Sequence, residues 1–129
     1  MLQTVEKQTA EIVAEYVAVW NETGTESRRL AVEALWNSDG AEFVEGVAFR
    51  GHDELCARIN GAHKQFVASG LYTATAASDV SRHDDIVSFT IQLSTPEDEV
   101  AWAARVFLVL DGEGLIREDY QLTVKALAA

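Results

Sequence analysis

The spacing of apolar residues changes near Gly70, and this change limits the possible folds more than any other feature of the chain. Before Gly70, apolar residues recur every three or four positions, as in Ile12, Tyr16 and Trp20, which is typical of amphipathic helices. After it they alternate with polar residues, as from Val87 to Leu93, which is typical of strands. Helices followed by strands predict an α+β fold with the helices on one face of a curved sheet.

Three helices are predicted in the first half. The first has an apolar stripe that runs from Val5 to Trp20. The second is expected to begin near Thr25, because Thr23 and Glu26 form a capping-box pattern. The third is expected to run from about Asp53 to Ser69. The residues expected on the buried faces of the second and third helices are Leu30, Ala34, Leu35, Leu55, Ile59, Ala62 and Phe66.

The segment WNSDGAEFVEGVAFRGHDEL joins the second helix to the third. We expect a turn at Asp39-Gly40 after Trp36, and then two short strands. The first strand carries Glu45 and the second ends at Gly51. This arrangement predicts that the Glu45 carboxylate edges a pocket.

Four antiparallel strands of about ten residues are predicted in the second half. Turn signals at 82–85, 94–99 and 111–114 separate them. The strand from Val100 to Leu110 is apolar on nearly both faces, so we expect it to be central and covered on both sides.

Composition excludes several classes of function. At 129 residues the chain is expected to form one domain, residues 1–129. A net charge of −11 argues against nucleic acid and anionic membranes as partners. The single cysteine, Cys56, fits a reducing cytoplasm, and neither a signal peptide nor a membrane span is evident. No two histidines have metal-ligand spacing and no glycine-rich nucleotide loop is present, so neither a metal nor a cofactor is expected.

Four motifs occur in a familiar order: AEYVAVWNETG, LWNSDGAEFVEG, FRGHDEL and FLVLDGEGLIREDY. Together they resemble the nuclear transport factor two-like superfamily, in particular its SnoaL-like and ketosteroid-isomerase-like branches, from about Glu11 to Thr123. The resemblance implies a cystatin-like α+β barrel: a cone-shaped, curved antiparallel sheet wrapped around three helices, with an apolar pocket at its open end. It also implies a homodimer formed through the convex face of the sheet.

The resemblance assigns expected roles to individual residues. Tyr16 matches a tyrosine that donates a hydrogen bond to a developing oxyanion in ketosteroid isomerases. Glu45 falls where those enzymes have a general base. Val106 aligns with their second oxyanion donor, and valine cannot donate a hydrogen bond. Asp119 aligns with a position that lines the pocket.

The direction of Asp119 depends on the register of the last strand. Plain alternation puts Ile116, Tyr120, Leu122 and Val124 in the core and Asp119 in water. The register of the family puts Asp119, Gln121 and Thr123 in the pocket instead, and we favour it. The alternation cannot decide between them, because the convex face is buried in a dimer.

Further candidates follow from the predicted cone. His63, between Ile59 and Phe66, is an acid–base candidate at the pocket edge. Arg105 lies on the convex face under the family register, where we expect a salt bridge across the dimer. The residues expected to line the pocket are Trp20, Trp36, Phe66, Trp102, Ala104, Val106 and Gln121.

The chain is therefore expected to bind a small apolar or aromatic organic ligand. Cofactor-free acid–base chemistry, as in isomerases, cyclases, dehydratases or hydrolases, is one expectation, with Glu45 or Asp119 moving the proton. A non-catalytic ligand-binding or dimerisation module is the alternative, and an adaptor that binds protein through the convex face is a third.

Overall fold

The computed structural model describes residues 8–128, and Val5 lies outside them. The helices and strands in chain order are α1 (Thr9–Asn21), α2 (Thr25–Leu35), β1 (Trp36–Val44), β2 (Val47–Arg50), α3 (Gly51–Ala62), a π-helical turn (His63–Val67), β3 (Thr73–Ala76), β4 (Ser81–His83), β5 (Ile86–Ser94), β6 (Val100–Leu110) and β7 (Ile116–Lys125). This order confirms the predicted α+β class. None of the helices in the described part of the chain is long and apolar enough to cross a membrane.

The strands form one curved sheet in the order β2-β1-β7-β6-β5-β3, and β4 also pairs with β5. The expectation of a wholly antiparallel sheet is wrong for one pair, because β1 and β7 run parallel. Parallel strands cannot be joined by a tight turn, and here the chain between them contains β2, α3 and the strands β3 to β6. Side chains of α1, α2 and α3 join those of β5 and β6 in one apolar core, so the helices fill one face of the sheet.

The second helix differs from its predicted pattern in two ways. It begins at Thr25 as expected, but its N-cap is Gly24 and no side chain caps it, so the Thr23–Glu26 capping box is not formed. Leu30 is 66% exposed and Ala34 is exposed, so both were wrongly predicted to be buried. The buried face consists of Arg28, Val32 and Leu35, which share a different helical stripe.

The predicted third helix is two structures. α3 ends at Ala62, and a π-helical turn follows, closed by a bond of 2.7 Å from the Ala68 N–H to the His63 carbonyl. A π turn contains one more residue than an α turn, so it changes which side chains face the core. His63 is buried at this turn.

No turn forms at Asp39-Gly40, contrary to prediction, and β1 continues through these residues. A β-carbon at Gly40 would lie 2.9 Å from the backbone oxygens of Asn37 and Ile116, so the strands approach closely here. The turn lies at Glu45-Gly46, where both residues have positive φ angles of 49° and 81°.

The first predicted strand of the second half is also two, because residues 77–80 separate β3 from β4. Asp79 in this gap accepts hydrogen bonds from the backbone N–H and hydroxyl of Thr90. It also forms an ion pair of 2.6 Å with Arg105. Arg105 therefore pairs with Asp79 of its own chain, whereas a salt bridge across the dimer was expected for it.

A β-bulge near the start of β7 decides the direction of Asp119. Ile116 pairs with Leu110 and Glu118 pairs with Val109, which leaves Arg117 as an extra residue. The extra residue reverses the alternation, so that Ile116 and Asp119 are both buried. Plain alternation is therefore wrong for this strand. Gln121 is also buried, whereas Leu122 and Val124 are exposed.

Candidate functional site

A pocket of about 350 Å³ opens between the curved sheet and the α3–π-turn segment. Its aromatic lining residues are Trp20, Phe49, Phe66 and Trp102. Its polar lining residues are Glu45, Arg58, His63, Gln121 and Thr123. The volume is within the range of about 300–1,000 Å³ that is usual for small-molecule sites.

Three side chains connect the pocket wall to a buried polar group. Gln121, which lines the pocket, donates a hydrogen bond of 2.8 Å from its Nε2 to the Tyr16 hydroxyl. The Tyr16 hydroxyl donates to Oδ2 of Asp119 at 2.6 Å. Tyr16 and Asp119 are fully buried and lie outside the pocket lining. The Tyr16 hydrogen is therefore committed to Asp119.

Glu42 lies beside Asp119, because the two are register partners on the parallel strands β1 and β7. Only 1% of Glu42 is exposed, and its Oε1 accepts a bond of 2.9 Å from Nε of Arg58. Arg58 lines the pocket. The polar side chains therefore form a chain from Gln121 in the wall through the core and back to Arg58 in the wall.

Burial raises the pKa of Asp119 well above its ordinary value, and the negative charge of Glu42 raises it further. Oδ1 of Asp119 and Oε2 of Glu42 are buried without a conventional partner among the described residues. A proton retained on Asp119 supplies the donor that this carboxyl pair otherwise lacks. Burial also raises the pKa of Tyr16, and its hydrogen bond to Asp119 raises it further, so the phenol keeps its hydrogen.

His63 presents one ring nitrogen to the pocket. Its Nδ1 lies 3.0 Å from the Trp20 carbonyl, and a carbonyl only accepts, so Nδ1 carries a hydrogen. Its Nε2 has no hydrogen-bond partner within residues 8–128 and is not among the fully buried polar atoms. The ring is thus fixed in orientation, and Nε2 is free to meet a ligand.

Glu45 lies at the pocket rim, and it is exposed. Thr123 donates a hydrogen bond of 2.8 Å to its carboxylate. The turn at Glu45-Gly46 directs the side chain to this position, away from the core site that Glu42 occupies. The structure therefore separates Glu45, on the rim, from Asp119 and Tyr16, in the core.

The expected pocket-lining residues fall into two groups. Trp20, Phe66, Trp102 and Gln121 line the pocket. Trp36, Ala104 and Val106 are buried in the core and are not part of the lining. Trp36 packs with its ring 5.6 Å from that of Tyr16, and Val106 is the register partner of Gln121.

Glu42 and Arg58 were not identified from the sequence, although a signal existed for each. Arg58 follows Leu55 by three residues and precedes Ala62 by four, so it lies beside the buried stripe of α3. Glu42 shares strand parity with Val44, which lines the pocket.

Within residues 8–128, no group of three or more His, Cys, Asp or Glu side chains is placed to hold a metal ion. The polar groups of the pocket can donate, accept and transfer protons.

Comparisons with known proteins place the fold. No family model matches the chain, and no curated protein matches it. A suggested isomerase of the SnoaL-like family from Agrobacterium tumefaciens superposes with a TM-score of 0.80 at 23% identity, covering 89% of this chain and 96% of that one. A de novo designed protein with an NTF2 fold superposes with a TM-score of 0.69 at 16% identity, covering 91% and 87%. The chain has the nuclear transport factor two-like fold.

This fold also occurs in a suggested SnoaL-like polyketide cyclase from Jannaschia. That protein superposes with a TM-score of 0.68 at 14% identity, covering 96% of this chain and 90% of that one. The nuclear transport factor two-like fold is therefore confirmed for nearly the whole described chain. At these identities the likeness shows the fold alone.

Proposed function

We propose that this protein binds a small organic molecule in the pocket and transfers a proton on it without a cofactor. His63 is the proposed base. The observation that carries the proposal is that His63 lines the pocket with its Nδ1 held by the Trp20 carbonyl, while its Nε2 has no partner in the described chain and is not fully buried. Histidine at neutral pH can take up and return a proton, which suits this role.

Two other proton carriers are less suited to contact the ligand. Asp119 is fully buried and lies outside the pocket lining, and burial and the charge of Glu42 raise its pKa, which disfavours its charged form. Glu45 is exposed at the rim, where water competes with the ligand for its carboxylate. The apolar walls, including Phe66 and Trp102, favour a ligand that is largely hydrocarbon.

The test follows deuterium incorporation by NMR, because this detects proton abstraction before any product is known. Cyclohexanone and 2-tetralone would be incubated with the protein in deuterated water. We expect faster exchange at the carbon beside the carbonyl, and a decrease of about 10²–10⁴-fold in His63→Gln, which loses the base. The control is His83→Gln, since His83 is exposed in a hairpin. Equal exchange by His63→Gln and the native protein would exclude this role.

A non-catalytic ligand-binding module is the second candidate. It is favoured by the Tyr16 hydroxyl, whose hydrogen bonds Asp119 and is not free for a ligand. Calorimetric binding of 2-tetralone without any exchange would support this candidate over the first.

A further inference from the structure

Arg58 contributes a cationic guanidinium to the pocket lining. Its Nε donates to Glu42 at 2.9 Å, and its guanidinium carbon lies 5.2 Å from the Trp20 ring and 5.6 Å from the Phe49 ring. Two aromatic contacts and one ion pair therefore fix the guanidinium in place. Its side chain is 22% exposed, so the group is held at the wall without being sealed from the pocket.

The terminal nitrogens of Arg58 remain available. A guanidinium has five N–H donors, and Nε uses one of them on Glu42. The four N–H groups on the two terminal nitrogens have no hydrogen-bond partner in the described part of the chain. An oxygen atom on an otherwise apolar ligand would find its donors here, since Tyr16 is committed to Asp119.

The local charge indicates which kind of oxygen fits. Glu42 and Asp119 lie side by side in the core, and each has one buried oxygen without a partner, so one proton shared between them supplies the missing hydrogen bond. The pair then carries one negative charge, which the Arg58 charge balances. A ligand with a full negative charge would leave the site with an excess of negative charge in an apolar pocket. A neutral carbonyl or hydroxyl oxygen causes no such excess.

We propose that Arg58 binds the oxygen of a neutral ketone or phenol through its terminal N–H groups, and that in a ketone it stabilises the charge that develops on this oxygen. This inference rests on the proposed function, because it assumes that the pocket is the ligand site. In the reaction, a C–H bond beside the carbonyl breaks and the proton moves to Nε2 of His63. The electron pair forms the enolate, whose oxygen is held by Arg58, and the new positive charge on His63 balances it. Arg58 thereby supplies the donor that Tyr16 and Val106 do not.

The test uses three probes with the same two fused rings: naphthalene, 2-naphthol and 2-naphthoate. Affinities would be measured by fluorescence titration at neutral pH. We expect the native protein to bind 2-naphthol about tenfold more tightly than naphthalene, and 2-naphthoate less tightly than 2-naphthol. In Arg58→Met the preference for 2-naphthol should disappear, while naphthalene affinity is kept. The matched control is Arg29→Met, because Arg29 bonds Glu33 and Asp53 on the surface.

Removal of Arg58 alone leaves Glu42 buried without its cation, which can unfold the protein. The double variant Glu42→Gln, Arg58→Met removes both charges and gives the same comparison in a neutral core. It would be compared with Glu42→Gln alone, which should keep the preference.

Three results would overturn the inference. Equal preference for 2-naphthol with and without Arg58 would remove its role while leaving the pocket as a ligand site. Tightest binding of 2-naphthoate, dependent on Arg58, would replace the neutral class by carboxylates. No binding of any probe would reject the proposed function together with this inference.

Discussion

At the scale of single residues, Asp119 illustrates how a carboxyl group is kept inside a protein core. The Tyr16 hydroxyl bonds one of its oxygens, and the adjacent Glu42 raises its pKa. Arg58 compensates the one charge that the pair retains. The carboxyl pair is stable in the core because Asp119 accepts a hydrogen bond from Tyr16 and the charge of the pair is compensated by Arg58.

The raised pKa of Asp119 predicts a particular dependence of stability on pH. The unfolded carboxyl has a pKa of about 3.9, so above this pH the folded protein binds a proton that the unfolded chain has lost. The stabilisation from Asp119 is full below about pH 4 and is lost as the pH rises through the folded pKa. In Asp119→Asn this loss is absent. The free energy of unfolding of the native protein should therefore fall relative to the variant, by up to about 1.4 kcal/mol per pH unit.

Urea unfolding across the range from about pH 4 to pH 8 would measure this difference. Glu113→Gln is the control, because Glu113 is exposed in the loop before β7 and should leave the pH dependence nearly unchanged. Parallel curves for Asp119→Asn and the native protein would contradict the raised pKa.

The Tyr16 hydroxyl should contribute measurably to stability. Tyr16→Phe keeps the ring but leaves Oδ2 of Asp119 and Nε2 of Gln121 without their bonds, at a cost of about 1–3 kcal/mol. Chemical denaturation would give the free energy of unfolding. Tyr120→Phe is the matched control, since that hydroxyl bonds Glu118 at the surface, and it should change stability by less than about 0.5 kcal/mol. Equal costs for the two variants would argue against a tight buried network.

At the scale of elements, the close approach of β1 and β7 depends on a glycine. The register between these strands is irregular between Trp36 and Ala41, and Gly40 lies inside this stretch. Further along, the same two strands place Glu42 beside Asp119. The pairing of β1 with β7 therefore sets both the order of the strands in this part of the sheet and the position of Glu42 beside Asp119.

Gly40→Ala should be destabilising by about 1–3 kcal/mol, because its β-carbon would meet two backbone oxygens and the Trp36 ring at 2.9 Å. Gly61→Ala is a matched change in α3, where no atom lies within 4 Å of the new β-carbon. It should stabilise the protein by about 0.5–1 kcal/mol, since alanine is the better helix former. Thermal melts should therefore show a lower melting temperature for Gly40→Ala and a higher one for Gly61→Ala. An unchanged melting temperature for Gly40→Ala would show that the strands can move apart at this position.

At the scale of the whole molecule, the homodimer remains a prediction. The face of β7 that points away from the pocket exposes Leu122 at 58% and Val124 at 65%, next to Tyr120, whose ring stacks on Phe43 at 5.0 Å. Sedimentation equilibrium should give the mass of two chains. Leu122→Lys should reduce it to one chain, because it places a charge on this face.

Leu71→Lys is the control for this experiment, since Leu71 is also 57% exposed but lies outside the sheet. It should leave the mass unchanged. A single-chain mass for the native protein at all concentrations would reject the dimer.

The predictable part of the fold depends on local patterns. The α1 stripe of Ile12, Tyr16 and Trp20 is buried as predicted, since all its members lie on one side of a regular helix. The start of α2 at Thr25 was predicted correctly. Leu30 was placed wrongly because two helical stripes of α2 contain apolar residues, and only packing selects between them.

The site was less predictable, because its members come from distant parts of the chain. Glu45 and Glu42 are both carboxylates of the same segment, and their directions depend on where the strand turns. Asp119 is buried because one bulge residue, Arg117, reverses the alternation of β7. The position of the Arg58 guanidinium depends on its ion pair with Glu42, which lies in β1 and not in α3.

The sequence by itself determined the α+β class, the helical first half and the stranded second half, because the period of apolar residues is a local property of each element. The family resemblance added the curved cone. Only the tertiary structure decided the parallel pairing of β1 with β7, and with it the buried pair of Glu42 and Asp119. Strand pairing, bulges and the partners of buried charges depend on contacts between residues far apart in the chain, and a local pattern does not encode those contacts.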